Sequence, residues 1–373
     1  MGRHMGIFSR LFGRKKTAEE KVPEVREIPE TEAHPEVHEM PETETHPEVH
    51  EMPEAEEHPE VREIPETEEH PEVHEMPEAE TQPGTRGVPE AREAEGFEAM
   101  DRETVLAQTV QRLKEKTLKP VIHIDLHAEP AGLTDSKLGG VPYLPADGEV
   151  PTDKKGRQLR LLAQLRLAEL PENTMGLPEE GILQFWILDD DLLGLETDPD
   201  QMMESKGHRV VWYPSVDETV TEESVLEKYH PYFDEESYFP MQDVFRMTFT
   251  LAQESLSYSD FRFDRAFAQA WNEVCPSDKI TGYRELDVEM SDAMMDAVSG
   301  AGHKIGGYPM FTQWDPREGK MENYGILLLQ IDSFGAEGKE IMWGDSGVGN
   351  FFITPEDLEQ RAFSRVLYTW DCY

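Results

Sequence analysis

Cysteine is almost absent from this sequence: the chain of 373 residues holds two, Cys275 and Cys372. They form neither a CxxC motif nor a disulfide framework, which fits free thiols in a reducing cytoplasm. Basic residues are also scarce, 35 Lys and Arg against 78 Asp and Glu, for a formal net charge of -43. Proteins that displace counterions from phosphate backbones need a basic stripe, so nucleic acid is set aside as a partner. No apolar run reaches the length of a membrane span and no signal peptide opens the chain, so the expectation is a soluble cytoplasmic protein. Several catalytic motifs are missing: GxSxG, HExxH, GxxxxGK[ST], and GxGxxG after a strand. Their absence leans away from an enzyme. It leaves the catalytic residues unknown and gives no reason to expect a cofactor or a metal.

Trp and Tyr are missing from the N-terminal part, since all six Trp and all eleven Tyr lie beyond residue 142. Three regions follow. Residues 1–21 are a short basic amphipathic segment. On a helix, Ile7, Phe8, Leu11 and Phe12 would share one face beside Arg14, Lys15 and Lys16, a pattern suited to weak peripheral contact at the inner membrane face. Residues 22–96 form an acidic stalk built on twelve-residue repeats, with proline at every sixth position from Pro23 to Pro89. Six residues are two turns of polyproline II, which puts every proline on one edge and excludes both α-helix and sheet interior. Residues 22–81 alone carry 22 Glu against 2 Arg, a net -20 that leaves -23 for the rest of the chain. The expectation is an extended, disordered spacer, and its seven histidines are read as solvated.

Residues 97–373 are long enough to bury a sizeable core. Helical patterns cover 101–116, 260–274 and 291–298, and Thr354 before Pro355 reads as a helix cap. Strand-like runs cover 121–126, 159–167, 181–188, 209–213, 247–251, 325–331 and 351–353. Strands in groups without regular βαβ alternation predict an α+β fold, a mainly antiparallel sheet with irregular helices. Asp189, Asp190 and Asp191 read as a solvated strand end. Lys137-Leu-Gly-Gly-Val-Pro142 matches Lys304-Ile-Gly-Gly-Tyr-Pro309, and each is followed by an apolar run holding a glutamine, Gln164 or Gln330. This predicts an internal duplication.

The segments KLGGVPYLP (137–145), LLAQLRLAELP (161–171) and LPEEGILQFWI (177–187) resemble the YwqG-like domain family of bacteria, as do HKIGGYPMFTQWDPR (303–317), ILLLQID (326–332), WGDSGVGNFFI (343–353) and LYTWDCY (367–373). The resemblance covers roughly residues 120–373 and implies an α+β fold of unknown biochemical function, with no established catalytic residues. Polar residues beside the glycine turns make the candidate ligand-binding set: Lys137, Gln164, His303, Lys304, Gln313, Arg317, Gln330, Trp343 and Asp345. Asp315 and Asp371 stand near them. The expected role is a non-enzymatic interaction module for another protein, displayed on the spacer, with immunity or regulation as versions of it. The alternative is a small-ligand receptor or enzyme with a cleft between the duplicated halves.

Overall fold

The computed structural model describes residues 100–172, 175–196 and 207–373. The basic segment with its apolar face, the stalk at 22–96 and residues 97–99 lie outside the described residues. Five α-helices form among the described residues: α1 (Arg102–Thr117), α2 (Glu222–Leu226), α3 (Phe263–Val274), α4 (Val288–Ala297) and α5 (Pro355–Glu359). The strands are β1 (Lys119–His127), β2 (Lys137–Leu138), β3 (Arg160–Arg166), β4 (Ile182–Ile187), β5 (His208–Tyr213), β6 (Phe245–Glu254), β7 (Lys304–Gly306), β8 (Ile326–Asp332), β9 (Val348–Ile353) and β10 (Leu367–Asp371). No described helix is long and apolar enough to cross a membrane.

Helix α1 starts where the Asp101 carboxylate accepts the Thr104 N–H, and Lys114 and Lys116 in its last turn suit the negative end of its dipole. Its buried Val105, Leu106 and Leu113 join Phe263, Phe267 and Trp271 of α3 and Met290 and Met294 of α4 in one helical core. Helix α4 begins three residues before the expected start because Asp287 caps it, accepting the Met290 N–H. Helix α3 begins three residues after its expected start, since Asp260 turns back to take the backbone and side-chain N–H groups of Arg262.

All ten strands form one sheet in the order β10-β9-β8-β7-β1-β6-β2-β3-β4-β5, and every neighbouring pair is antiparallel. The mainly antiparallel α+β reading of the sequence holds. The sheet curls into a nearly closed barrel whose interior is filled by Leu165, Phe185, Ile187, Leu329, Phe351 and Ile353, among others. The edge strands approach at the seam. There His208 Nε2 bonds the Val366 carbonyl at 3.0 Å, and the His208 and Tyr368 ring centres lie 5.3 Å apart.

The strand order is symmetric about the central β1–β6 ribbon, the arrangement that the predicted duplication calls for. Strands β2 to β5 lie on one side and β7 to β10 on the other, in the same sequence outward. Both β3 and β8 carry a bulge at equivalent places, Leu161/Ala163 and Leu327/Leu329. The first strand of each half is exchanged: β1 pairs with β7 of the second half, and β6 pairs with β2 of the first.

The structure corrects two readings. Asp189 is not a solvated strand end; it is fully buried, accepting Arg160 Nη1 at 2.8 Å, Ser237 Oγ at 2.7 Å and the Tyr238 N–H at 3.0 Å. Strand β9 starts at Val348, three residues before its expected start, because Gly349 makes room for a tryptophan. A Cβ on Gly349 would stand 2.5 Å from the Trp343 ring.

Candidate functional site

One Gly-Gly turn follows β2 and the other ends β7. Gly139, Gly140, Gly306 and Gly307 have φ of 66°, 75°, 74° and 63°, a region where only glycine is at ease. A Cβ on Gly140 would approach Val244 Cγ2 to 2.9 Å, and one on Gly307 would approach Val121 Cγ2 to 2.9 Å. Each turn therefore lies tight against the exchanged strand of the other half.

A buried glutamine pins the loop around each turn. Gln164 Oε1 accepts the Tyr143 N–H at 2.8 Å, and its Nε2 donates to the Leu133 and Asp135 carbonyls at 2.9 Å each. Gln330 repeats this in the second half, accepting the Met310 N–H at 2.7 Å and donating to the Gly300 and Gly302 carbonyls at 3.0 and 2.8 Å. The next strand outward adds a second amide, since Gln184 Nε2 bonds the Tyr143 carbonyl and Asn350 Nδ2 bonds the Met310 carbonyl.

The two lysines are equivalent in place and differ in partners. Lys137 Nζ bonds the Gly132 and Leu133 carbonyls, and burial pulls its ammonium down to about 8. Lys304 Nζ bonds the Gly300 carbonyl and the Glu254 carboxylate, each at 2.6 Å, and it is fully buried. Glu254 Oε2 also accepts the Tyr308 N–H at 2.7 Å. His303 takes the place that Ser136 holds in the first half. Its Nδ1 accepts the Asp332 N–H at 3.1 Å, as Ser136 Oγ accepts the Arg166 N–H at 2.8 Å. The proton therefore sits on Nε2, which donates to the Phe334 carbonyl at 2.8 Å. Burial pushes His303 toward the neutral form.

The remaining candidates gather elsewhere. Arg317, 1% exposed, donates to Asp315 at 2.9 and 2.6 Å and to Asp260 at 3.0 Å, with its guanidinium 4.3 Å from the Phe352 ring centre. Gln313 Nε2 bonds the Cys372 carbonyl, while Asp371 Oδ2 accepts the Thr312 and Gln313 N–H groups. Burial raises the Asp371 carboxyl above its ordinary range. Trp343 is fully buried, 6.1 Å from Trp370, and exposed Asp345 lies beside the Cys372 thiol. The fold thus brings His303, Lys304 and Gln330 together, and Lys137 with Gln164. The two groups are held apart by β1 and β6, roughly 14 Å across the ladder. Gln313, Trp343 and Asp345 meet around the C-terminal segment, and Arg317 stands with its own carboxylates.

Between the two pinned loops the sheet is open. Residues directly opposed in a ladder project to one face. His123 opposes Thr250, Asp125 opposes Thr248, and His127 opposes Arg246. Lys304 opposes His123 and Lys137 opposes Arg246, so all of them share the outer face. Asp125, Arg246, Thr248 and Thr250 are exposed, His123 and His127 are half-buried, and His127 Nε2 lies 2.8 Å from Thr248 Oγ1. This polar strip was absent from the sequence-based candidates. The alternation in Val121-Ile-His-Ile-Asp-Leu126 already carried the signal, since it placed His123 and Asp125 opposite the core-facing isoleucines. At the Glu254 end of the ribbon a cavity of about 300 Å³ opens between α1, β6 and residues 296–301, with Lys114, Asp296 and Gly300 in its wall.

A search of curated proteins finds no match to this chain. A family described as a domain of unknown function, DUF1963, matches residues 136–372. The matched stretch takes in both Gly-Gly turns, both glutamine pins and every strand except β1. The chain belongs to the DUF1963 family.

Proposed function

We propose that this is a YwqG-like interaction module for another protein, held out on the acidic spacer of residues 22–96, and that the partner docks on the outer face of the β1–β6 ribbon. One observation carries the reading: a strip of exposed Asp125, Arg246, Thr248 and Thr250 lies in the middle of a sheet face that is covered on both sides. An open polar strip framed by rigid loops offers a partner fixed hydrogen-bonding groups at little ordering cost. The strong negative charge of the chain would steer a basic partner toward it. The test is affinity capture with the full chain and with Thr250→Arg. A partner that the parent chain retains and the variant binds at least about tenfold more weakly, with binding that weakens as salt rises, supports the reading. Equal retention by both chains removes the ribbon from the interface.

The cavity beside Glu254 favours a second reading, a small-ligand receptor, because its wall holds Lys114, Asp296 and one end of the buried Lys304–Glu254 pair. Its wall is drawn from α1, the end of β6 and residues 296–301. Ser255→Trp would fill it; a ligand that stabilises the parent and the variant equally sinks this alternative.

A further inference from the structure

Lys119 opens β1 directly opposite Glu254 in the ladder, the arrangement in which a cross-strand ion pair is expected. The pair does not form. Both Glu254 oxygens are engaged, Oε1 by Lys304 Nζ and Oε2 by the Tyr308 N–H. The Lys119 ammonium instead rests 4.5 Å from the centre of the Tyr308 ring and makes no hydrogen bond or ion pair among the described residues. The Tyr308 hydroxyl is fixed by donation to the Thr117 carbonyl, so the ring is a rigid platform.

A second cation leans on this platform. The Arg262 guanidinium lies 5.4 Å from the Tyr308 ring centre, with Nε and Nη2 bound to the Asp260 carboxylate at 2.7 and 2.6 Å. Its Nη1 has no bond among the described residues, and its side chain is 41% exposed. Four charged groups act on Lys119: Arg262 and Arg317 against Asp260 and Glu254. Both carboxylates are already bonded to other cations, Asp260 to Arg262 and Arg317 and Glu254 to Lys304, so the lysine has no counter-ion of its own.

We infer that Lys119 Nζ and the free edge of Arg262, set on the Tyr308 ring, bind a small oxyanion, the phosphate or carboxylate group of a soluble ligand. An oxyanion would supply the missing counter-charge and accept from both sets of idle donors, which are charge-assisted and correspondingly strong. This site is separate from the ribbon strip and does not depend on how that strip is used. Burial, followed by the neighbouring Arg262, pulls the Lys119 ammonium down to about 8, so a bound anion also reverses an existing penalty.

The experiment is competitive acylation of the full chain at neutral pH, read residue by residue by mass spectrometry. Phosphate, sulfate and acetate are compared at constant ionic strength. Without added anion, Lys119 should react at least about tenfold faster than exposed Lys155 and Lys279, because far more of it is neutral. Lys137 is the internal control: it has the same lowered proton affinity but is 2% exposed and bonded to two carbonyls, so it should react slowly. Phosphate at about 10 mM should slow Lys119 at least about fivefold and leave Lys155 and Lys279 unchanged. Protection by phosphate and sulfate assigns a phosphate-type ligand, and protection by acetate assigns a carboxylate. No protection by any of the three overturns the site. As a second measurement, phosphate should raise the melting temperature of the parent and not that of Lys119→Gln; an equal rise in both also overturns it.

Discussion

Replacing Gln164 or Gln330 by methionine keeps the length and shape of the side chain and removes its hydrogen bonding. The structure gives the cost of each. Gln330→Met strips the partner from the Met310 N–H and the Gly302 carbonyl, whereas the Gly300 carbonyl keeps Lys304 Nζ. Gln164→Met strips the Tyr143 N–H and the Asp135 carbonyl and takes one of two acceptors from Gln184 Nε2, which keeps the Tyr143 carbonyl, whereas the Leu133 carbonyl keeps Lys137 Nζ. Each variant thus leaves one main-chain donor and one main-chain acceptor, buried or half-buried, without a partner. At about 1–3 kcal/mol for each unsatisfied group, either substitution should cost about 2–6 kcal/mol, a large part of the stability of an ordinary domain. Urea unfolding followed by tryptophan fluorescence reads the folded domain alone, since every Trp lies at or beyond residue 186. The midpoint should fall by roughly 0.7–2 M for each variant at an m-value near 3 kcal/mol/M. The duplication sharpens the test, because two positions 166 residues apart must give matching losses. A loss below about 0.5 kcal/mol at either position, or a difference above about 2 kcal/mol between them, would refute the pin mechanism.

Two further outcomes follow from buried ionisable groups. Arg317→Met leaves Asp315 facing Asp260 with no cation between them and should cost about 3–5 kcal/mol by chemical denaturation. Burial works against the Asp260 charge, but Arg262 and Arg317 outweigh it and hold its carboxyl below the ordinary range. The stability it supplies is therefore present above the unfolded carboxylate range and lost as pH falls through its lowered folded value; Arg317→Met should bring acid unfolding to higher pH. At the barrel seam, burial pulls the His208 imidazole down from 6.5 to about 4, with the Val366 bond opposing only in part. The neutral ring is the folded form, so its contribution is intact above pH 6.5 and about 3 kcal/mol is lost as pH falls from 6.5 to about 4. His208→Met should flatten the stability–pH curve in that window; an unchanged slope would show that His208 is not the titrating group.

Much of this fold could be read from the chain because its strands are long and apolar. Runs such as Gly181–Leu188 and Gly325–Ile331 announce β4 and β8 by composition alone, and the repeated Lys-x-Gly-Gly signals the duplication. What escaped has local causes. Strands β2 and β7 hold two and three residues, because positive-φ glycines end them, so no periodicity has room to develop. Asp189 looked solvated because its partners, Arg160 and Ser237, lie 29 and 48 residues away, beyond the reach of any window. For several of the candidate polar residues the structure shows bonds to the backbone. Gln164, Gln330 and His303 each receive or supply bonds to main-chain groups of loops whose path the sequence does not specify. Alternation along β1 marks its core-facing side, and the polar strip is the outward half of the same pattern.

The exchange of β1 and β6 explains why a duplicated chain behaves as one unit and why its two kinds of polar residue differ. Without β1, strand β7 would lose the neighbour on one side, and without β6, strand β2 would do the same; either half alone would present an unpaired strand edge. The halves are therefore bound to fold together through the nine-residue β1–β6 ladder. Register places His123 with Arg246, Asp125 with Thr248 and His127 with Thr250 as equivalents across the symmetry. At these exposed positions no residue type is repeated. At the pinned positions the types recur: Lys137 with Lys304, Gly139-Gly140 with Gly306-Gly307, Gln164 with Gln330. Packing accounts for the recurrence, since each repeated residue is buried and bonded to the main chain. Along the ribbon the side chains are exposed or half-buried, so packing holds their identities less tightly.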